Sequence, residues 1–162
     1  MNFERKIIER SLRLALSGKG SHVEVQNVFA GLDWRVAGAR PEQVPYSLFQ
    51  LLHHMIYWQE WVLKWLDGER PPVAKHASDS WPVQVGPAGR NGWEEALQRF
   101  RKGQAGLRGR VREADLLTKR GRKSRLGMLH TIASHNSYHA GQAALLRRML
   151  GKWPPPSGGV TW

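Results

Sequence analysis

Cysteine is absent from the chain, and long apolar runs and acidic residues are scarce. Without thiols the protein has no disulfides, no zinc–thiolate site and no cysteine nucleophile, which fits a cytoplasmic protein. No apolar run approaches the roughly 20 residues of a membrane span, so we predict no transmembrane helix. The first residues include Glu4 and Glu9 among several bases and lack a continuous apolar segment. They indicate an amphipathic helix and not a signal peptide.

The shortage of acidic residues leaves a strong positive charge of +12, from 25 Lys and Arg against 13 Asp and Glu. Eleven of the basic residues lie in residues 99–125, which contain only two acidic residues. Such a surface attracts phosphate groups, so we expect weak, non-specific nucleic-acid binding. A nucleic-acid-associated protein is therefore an alternative function. The stretch nevertheless lacks interleaved exposed aromatic residues and any recognised nucleic-acid-binding motif.

Apolar residues make up 41% of the 162 residues, and eight of them are Trp, which predicts a single folded domain over residues 1–162 with a substantial core. Apolar residues recur at three- and four-residue spacing in four stretches. They predict four main helices, at about 2–17, 46–67, 92–118 and 124–150. No convincing strand pair is present. The pattern predicts an all-α fold, an antiparallel helical bundle.

Turn-forming residues separate these helices. Ser21 is placed to cap a shorter helix that would extend to about Leu32. Residues 68–92 are rich in Gly and Pro and predict a long loop, with Trp81 packed against the bundle. The Pro- and Gly-rich residues 151–162 cannot continue a helix and predict an irregular tail.

Three glycines interrupt the third predicted helix at a spacing of three: Gly103, Gly106 and Gly109. They do not form a nucleotide-binding loop, because the spacing differs and no strand precedes them. We expect close helix packing or a local kink at these positions. The apolar stripe of this helix runs from Trp93 to Ala114.

Two histidines lie four residues apart in the fourth predicted helix, His135 and His139. At about 100° per residue, His139 falls between Ile132 and Leu146 on the helical wheel, and His135 falls at the edge of this apolar face. Buried imidazoles need polar partners once they leave water. A shared cation would satisfy both nitrogens. Three ligands and a water would leave an open position suited to catalysis.

A third candidate ligand comes from the second predicted helix. His54 falls at the edge of its apolar arc, between Trp61 and Trp65, whereas His53 is about 100° further round and faces away. His22, His76 and His130 are expected in loops or on the outer surface. Periodicity alone leaves two interpretations of His54, His135 and His139: a divalent metal site or a hydrogen-bonded polar cluster at the edge of the core.

The residues around these histidines resemble the DinB-like (DinB/YfiT) superfamily of metal-binding four-helix bundles. The family pattern has a leucine pair, a variable residue, a ligand His and a Trp four residues later. This sequence matches it with Leu51, Leu52, His53, His54 and Trp58. A second family motif, His-x-x-x-His-x-Gly-Gln, is met by His135, His139, Gly141 and Gln142.

The resemblance implies an up-down-down-up four-helix bundle, commonly dimeric, in which His54, His135 and His139 bind Zn²⁺ or Ni²⁺. Some relatives are S-transferases that use a low-molecular-weight thiol, bacillithiol or mycothiol, and others resemble metal hydrolases. We therefore expect a metal-dependent enzyme with a small-molecule substrate. A metal that only stabilises the bundle, in a structural or nucleic-acid-associated protein, is the alternative.

No spacing argument identifies a general base, although Glu60 and Glu94 are candidates. Gln142 is placed to support the ligand histidines by hydrogen bonding. Tyr138 is expected to pack or donate a hydrogen bond without touching the metal. Gly141 is expected to permit close approach of another helix.

Overall fold

The computed structural model describes residues 3–112 and 116–159. Four long helices dominate it: α1 (Phe3–Ser17), α3 (Leu48–Leu66), α4 (Arg90–Arg110) and α5 (Arg125–Met149). A four-residue helix α2 (Trp34–Ala37) and two 3-10 turns, Val25–Asn27 and Ala77–Ser80, lie between them. The prediction of an all-α helical bundle is confirmed. Within the described part of the chain, no helix is long and apolar enough to cross a membrane.

The helices α3, α4 and α5 have the relative directions that an up-down-down-up bundle requires. Two ion pairs show that α3 and α4 run parallel. Glu60 pairs with Arg99, and further along both helices Asp67 pairs with Arg110 at their C-terminal ends. α5 runs antiparallel to them, since Arg125 at its start donates to the carbonyl oxygen of Leu66 at the end of α3. α1 packs on α5 and α4.

Serine caps begin the two helices that carry the candidate histidines. The Ser47 hydroxyl accepts a hydrogen bond from the backbone N–H of Gln50, and the Gln50 side chain accepts one from the backbone N–H of Ser47. Ser124 caps α5 by accepting from the N–H of Gly127 at 3.0 Å. These caps satisfy backbone donors that would otherwise be unpaired at the helix start, so they fix where each helix begins.

Two of the three spaced glycines bring α4 close to α3. A Cβ at Gly103 would lie 2.3 Å from Oε1 of Gln59, and one at Gly106 would lie 3.2 Å from the Leu63 side chain. The predicted close packing is confirmed at these positions. Gly109 has open space beside it and serves no such contact.

Two local predictions are wrong. The helix expected from Ser21 to Leu32 is replaced by turns and the 3-10 turn Val25–Asn27, and Gly31 inside that range adopts a left-handed φ of +71°. The third helix does not extend to residue 118, since α4 ends at Arg110. The expectation that Ala114 continues its stripe lies outside the described residues.

The sequence pattern also did not predict a short β-hairpin whose strands have two residues each. β1 (Lys119–Arg120) pairs antiparallel with β2 (Lys123–Ser124), and Gly121 turns between them with a φ of +62°. Two-residue strands leave almost no periodic signal, and this basic hairpin does not change the all-α class.

The buried side chains form two hydrophobic clusters along the bundle. On α3, residues 48–56 contribute to the first cluster and residues 62–66 to the second. On α5, the second cluster ends at Ala133 and the first begins at Ala140. The candidate histidines lie where one cluster gives way to the other.

Candidate metal centre

Three histidines meet between α3 and α5. Nε2 of His54 lies 3.1 Å from Nε2 of His139 and 3.2 Å from Nε2 of His135. One ring nitrogen of each residue falls within 4.8 Å of the others, as a metal-binding group requires. His54 and His139 are only 7% and 6% exposed, and His135 is half-buried. The structure brings the three predicted histidines together.

Hydrogen bonds fix which nitrogen of His54 carries its proton. The Ser80 hydroxyl donates to the carbonyl oxygen of Ala77 at 2.9 Å, so its oxygen accepts from Nδ1–H of His54 at 3.0 Å. A neutral imidazole with a protonated Nδ1 has an unprotonated Nε2. Ser80 therefore turns the lone pair of His54 towards the other two histidines.

Gln142 does the same for His139. Its Oε1 accepts a hydrogen bond from Nδ1–H of His139 at 2.6 Å, as a carbonyl oxygen can only accept. The supporting role expected of Gln142 is confirmed. The Nε2 lone pairs of His54 and His139 thus face each other at 3.1 Å without a proton between them. That contact is repulsive unless a cation lies between the nitrogens.

The geometry of the cluster fits one divalent ion. Nitrogens that bind a single Zn²⁺ at ~2.0–2.1 Å in a tetrahedral arrangement lie about 3.3 Å apart. The two Nε2 separations of 3.1 and 3.2 Å are close to this value. The donor set is also suitable, because neutral imidazole binds Zn and Ni well. The three-histidine cluster could therefore hold a divalent metal ion.

His54 and His135 remain neutral well below physiological pH. Burial lowers the pKa of His54 to about 3 and that of His135 to about 4, and neighbouring imidazoles add to both effects. Burial also lowers the pKa of His139. Metal ligation requires unprotonated nitrogens, so the surroundings keep all three histidines in the ligating form.

Aromatic rings enclose the cluster. Trp81 stacks on the His54 ring at 4.2 Å between centroids and 14° between planes, and Tyr46 also stacks on Trp81. Trp58 and Tyr138 approach His135 and His139 edge-on. The predicted packing of Trp81 against the bundle is confirmed, and its contact with His54 restricts water around that ring.

The remaining histidines lie elsewhere. His53 packs on Phe49 with ring centroids 4.3 Å apart and is not part of the cluster, as its wheel position predicted. His22 is a half-buried loop residue whose Nε2 is 3.1 Å from the Ser137 hydroxyl. His76 and His130 are exposed.

Neither candidate general base is selected by the structure. Glu60 is held by three hydrogen bonds from Arg99, and Glu94 is exposed. The expectation for Gly141 is wrong within the described chain, because it is exposed and a Cβ there would meet nothing within 4 Å. Tyr138 is also exposed and contacts His139 through its ring edge.

Ser80 was missed in the sequence. It lies in the 3-10 turn of a segment without hydrophobic periodicity, and a serine in such a segment carries no signal that it contacts a helix. The family's histidine motifs contain no position that corresponds to it.

Fold and site together define a helical bundle with a buried three-histidine cluster that could hold a divalent metal. The family model described as the DinB superfamily matches residues 21–143, more than half of the chain and a stretch that contains all three histidines. The chain belongs to the DinB superfamily. No curated protein and no solved structure matches it.

Proposed function

We propose that the chain is a metal-dependent enzyme that binds one Zn²⁺ or Ni²⁺ through Nε2 of His54, His135 and His139. The observation that carries this proposal is the 3.1 Å contact between Nε2 of His54 and Nε2 of His139, both left unprotonated because their Nδ1–H groups donate to Ser80 and Gln142. A polar cluster without a cation would leave these lone pairs opposed inside the protein.

Three neutral ligands suit catalysis better than a purely structural role. A bound metal would supply Lewis acidity at a fourth position, which lowers the pKa of a water or of a low-molecular-weight thiol. The proposed reaction is accordingly hydrolysis or thiol-dependent S-transfer on a small-molecule substrate. We also propose that the protein acts in the cytoplasm, where small thiols are kept reduced.

The residues of the chain position and shield this centre. Ser80 and Gln142 hold two imidazole orientations, and the stacked Trp81 covers one face of His54. These contacts reduce the motion that a metal would have to restrict on binding, so they favour binding at a preformed site.

The test compares two adjacent histidines. We expect His54→Ala to abolish stoichiometric metal binding and His53→Ala to leave it nearly intact, because only His54 belongs to the cluster. Metal content is measured on protein purified without a nickel column, and activity is screened with and without added thiols. Equal loss of metal in both folded variants would contradict the proposal, and so would full metal content in His54→Ala.

Nucleic-acid association remains the second candidate, favoured by the exposed basic hairpin. Against it, Arg99 and Arg110 pair with carboxylates, and Arg120 and Arg125 donate to backbone carbonyl oxygens of α3. These contacts leave fewer basic groups for phosphates.

We predict weak DNA binding that is lost with salt, since log affinity falls with log salt by about 0.9 for each neutralised phosphate. Electrophoretic shift assays at low and physiological salt measure it. Reversing the charges of Arg108, Arg112 and Arg122 should leave metal content unchanged. Tight, sequence-selective binding at physiological salt would favour the nucleic-acid function instead.

A homodimer also stays a prediction, to be measured by sedimentation equilibrium.

A further inference from the structure

A cleft of about 200 Å³ opens beside the histidine cluster, between α3 and α5. One of its lining residues is His135, so the cleft reaches the proposed metal centre. Its other lining residues are mostly apolar: Trp58, Trp61, Val62, Val73, Lys123, Met128, Thr131 and Ile132.

The walls of the cleft are suited to one ring. The Trp58 and Trp61 rings lie 6.0 Å apart at 60°, and Trp58 is edge-on to His135 at 6.3 Å. The Trp61 indole N–H donates to the carbonyl oxygen of Pro72 at 2.8 Å, which fixes that ring. An apolar cavity of about 150 Å³ takes up benzene, so this cleft accommodates a single ring with a short substituent.

The lining of the cleft carries a positive charge on its outer side, from one lysine. Lys123 is the single lysine, arginine or carboxylate residue that lines it, and Lys123 forms no ion pair among the described residues. Lys123 is exposed, whereas His135 is half-buried. The lining therefore extends from a cationic outer side to the histidine cluster.

We propose that this cleft selects small substrates that combine one ring-sized apolar group with an anionic group. The ring lies against Trp58 and Trp61, and the anionic group lies at the Lys123 ammonium. This inference rests on the proposed function, because it names the substrate class of the same centre.

Phenylacetate is the probe for this class, with acetate as the analogue without a ring and phenylacetamide as the analogue without charge. Titration calorimetry is run on zinc-loaded protein and on protein treated with EDTA. We expect phenylacetate to bind in both states with a Kd of about 1 mM or tighter. Acetate should bind at least about tenfold more weakly, and phenylacetamide about threefold more weakly.

Matched variants locate the binding. Trp61→Ala should weaken phenylacetate binding about tenfold, because the ring wall is lost, whereas Trp65→Ala on the same helix should not. Lys123→Gln should weaken it about threefold, and Lys119→Gln on the same hairpin should have no effect. Lys123 is exposed, so its variant tests the cleft even where Trp61→Ala fails to fold.

The outcomes separate the two proposals. Absence of phenylacetate binding, equal binding of acetate, or binding that both cleft variants leave unchanged would overturn the substrate class. Phenylacetate binding that requires zinc and is equally strong in the Trp61→Ala and Lys123→Gln variants would also overturn the substrate class, but it would be consistent with the metal proposal. Ring-dependent binding at the cleft of a protein that takes up neither zinc nor nickel would overturn the metal-dependent function alone.

Discussion

Ser80→Ala removes the oxygen that accepts the Nδ1 proton of His54. The hydrogen bond is 3.0 Å long, and Ser80 is only 5% exposed, so water cannot readily replace the lost acceptor. Outer hydrogen bonds of this kind to ligand histidines are typically worth 10- to 100-fold in metal affinity, or about 1.4–2.8 kcal/mol. The lower part of that range matches the net value of an ordinary hydrogen bond, and the upper part adds the cost of a buried unpaired donor.

We therefore expect Ser80→Ala to weaken zinc binding about 10- to 100-fold. A competition titration against a chromophoric chelator measures the affinity, and circular dichroism checks the fold. Ser78→Ala is the matched control, because Ser78 lies in the same 3-10 turn and is exposed. Affinity within about twofold of the unsubstituted protein, in a folded Ser80→Ala variant, would refute a role for Ser80 in orienting His54.

Three further predictions concern stability. Arg147 is 2% exposed and donates to the carbonyl oxygens of Val28, Ala30 and Lys152, so Arg147→Ala should lower the free energy of unfolding by about 3 kcal/mol, measured by urea denaturation. In the metal-free protein, Gly103→Ala should lower the free energy of unfolding more than Gly109→Ala by at least about 1 kcal/mol, because only the Cβ at position 103 would collide with a side chain of α3. Equal urea midpoints of the two variants would contradict this. In the folded protein the pKa values of the three site histidines are lower than the value of about 6.5 in the unfolded chain. The unfolded chain of the metal-free protein therefore binds more protons, and the free energy of unfolding falls as the pH drops from about 6.5 towards 4. A variant with all three replaced by Gln should lose less of its urea midpoint over that interval, and an identical loss would contradict the linkage.

The helices and their register could be predicted from the sequence because burial repeats along them. Leu48, Leu51, Leu52 and Met55 are all fully buried, so they fix one face of α3. That face determines on which side His54 lies. The same reasoning placed His135 and His139 on the inner side of α5, and the structure brings all three together.

Predictions were wrong where single residues override periodicity. The helix expected from Ser21 to about Leu32 would contain Gly31, yet Gly31 adopts a φ of +71°, a left-handed conformation that an α-helix cannot contain. A Cβ at Gly31 would also lie 2.6 Å from Pro156. That contact joins residues 125 positions apart, and local patterning cannot reveal it.

The segment between α3 and α4 shows the same limit at the site itself. It orients His54 through Ser80, covers that ring with Trp81 and fixes Trp61 of the cleft through Pro72. Each of these is an individual contact and not part of a repeated face, so the sequence predicted only the packing of Trp81. The helices position the three nitrogens, and this segment controls the orientation of His54 and one wall of the cleft. Because few core contacts constrain such a segment, substitutions in it can change metal affinity and ligand choice while the helical packing stays the same.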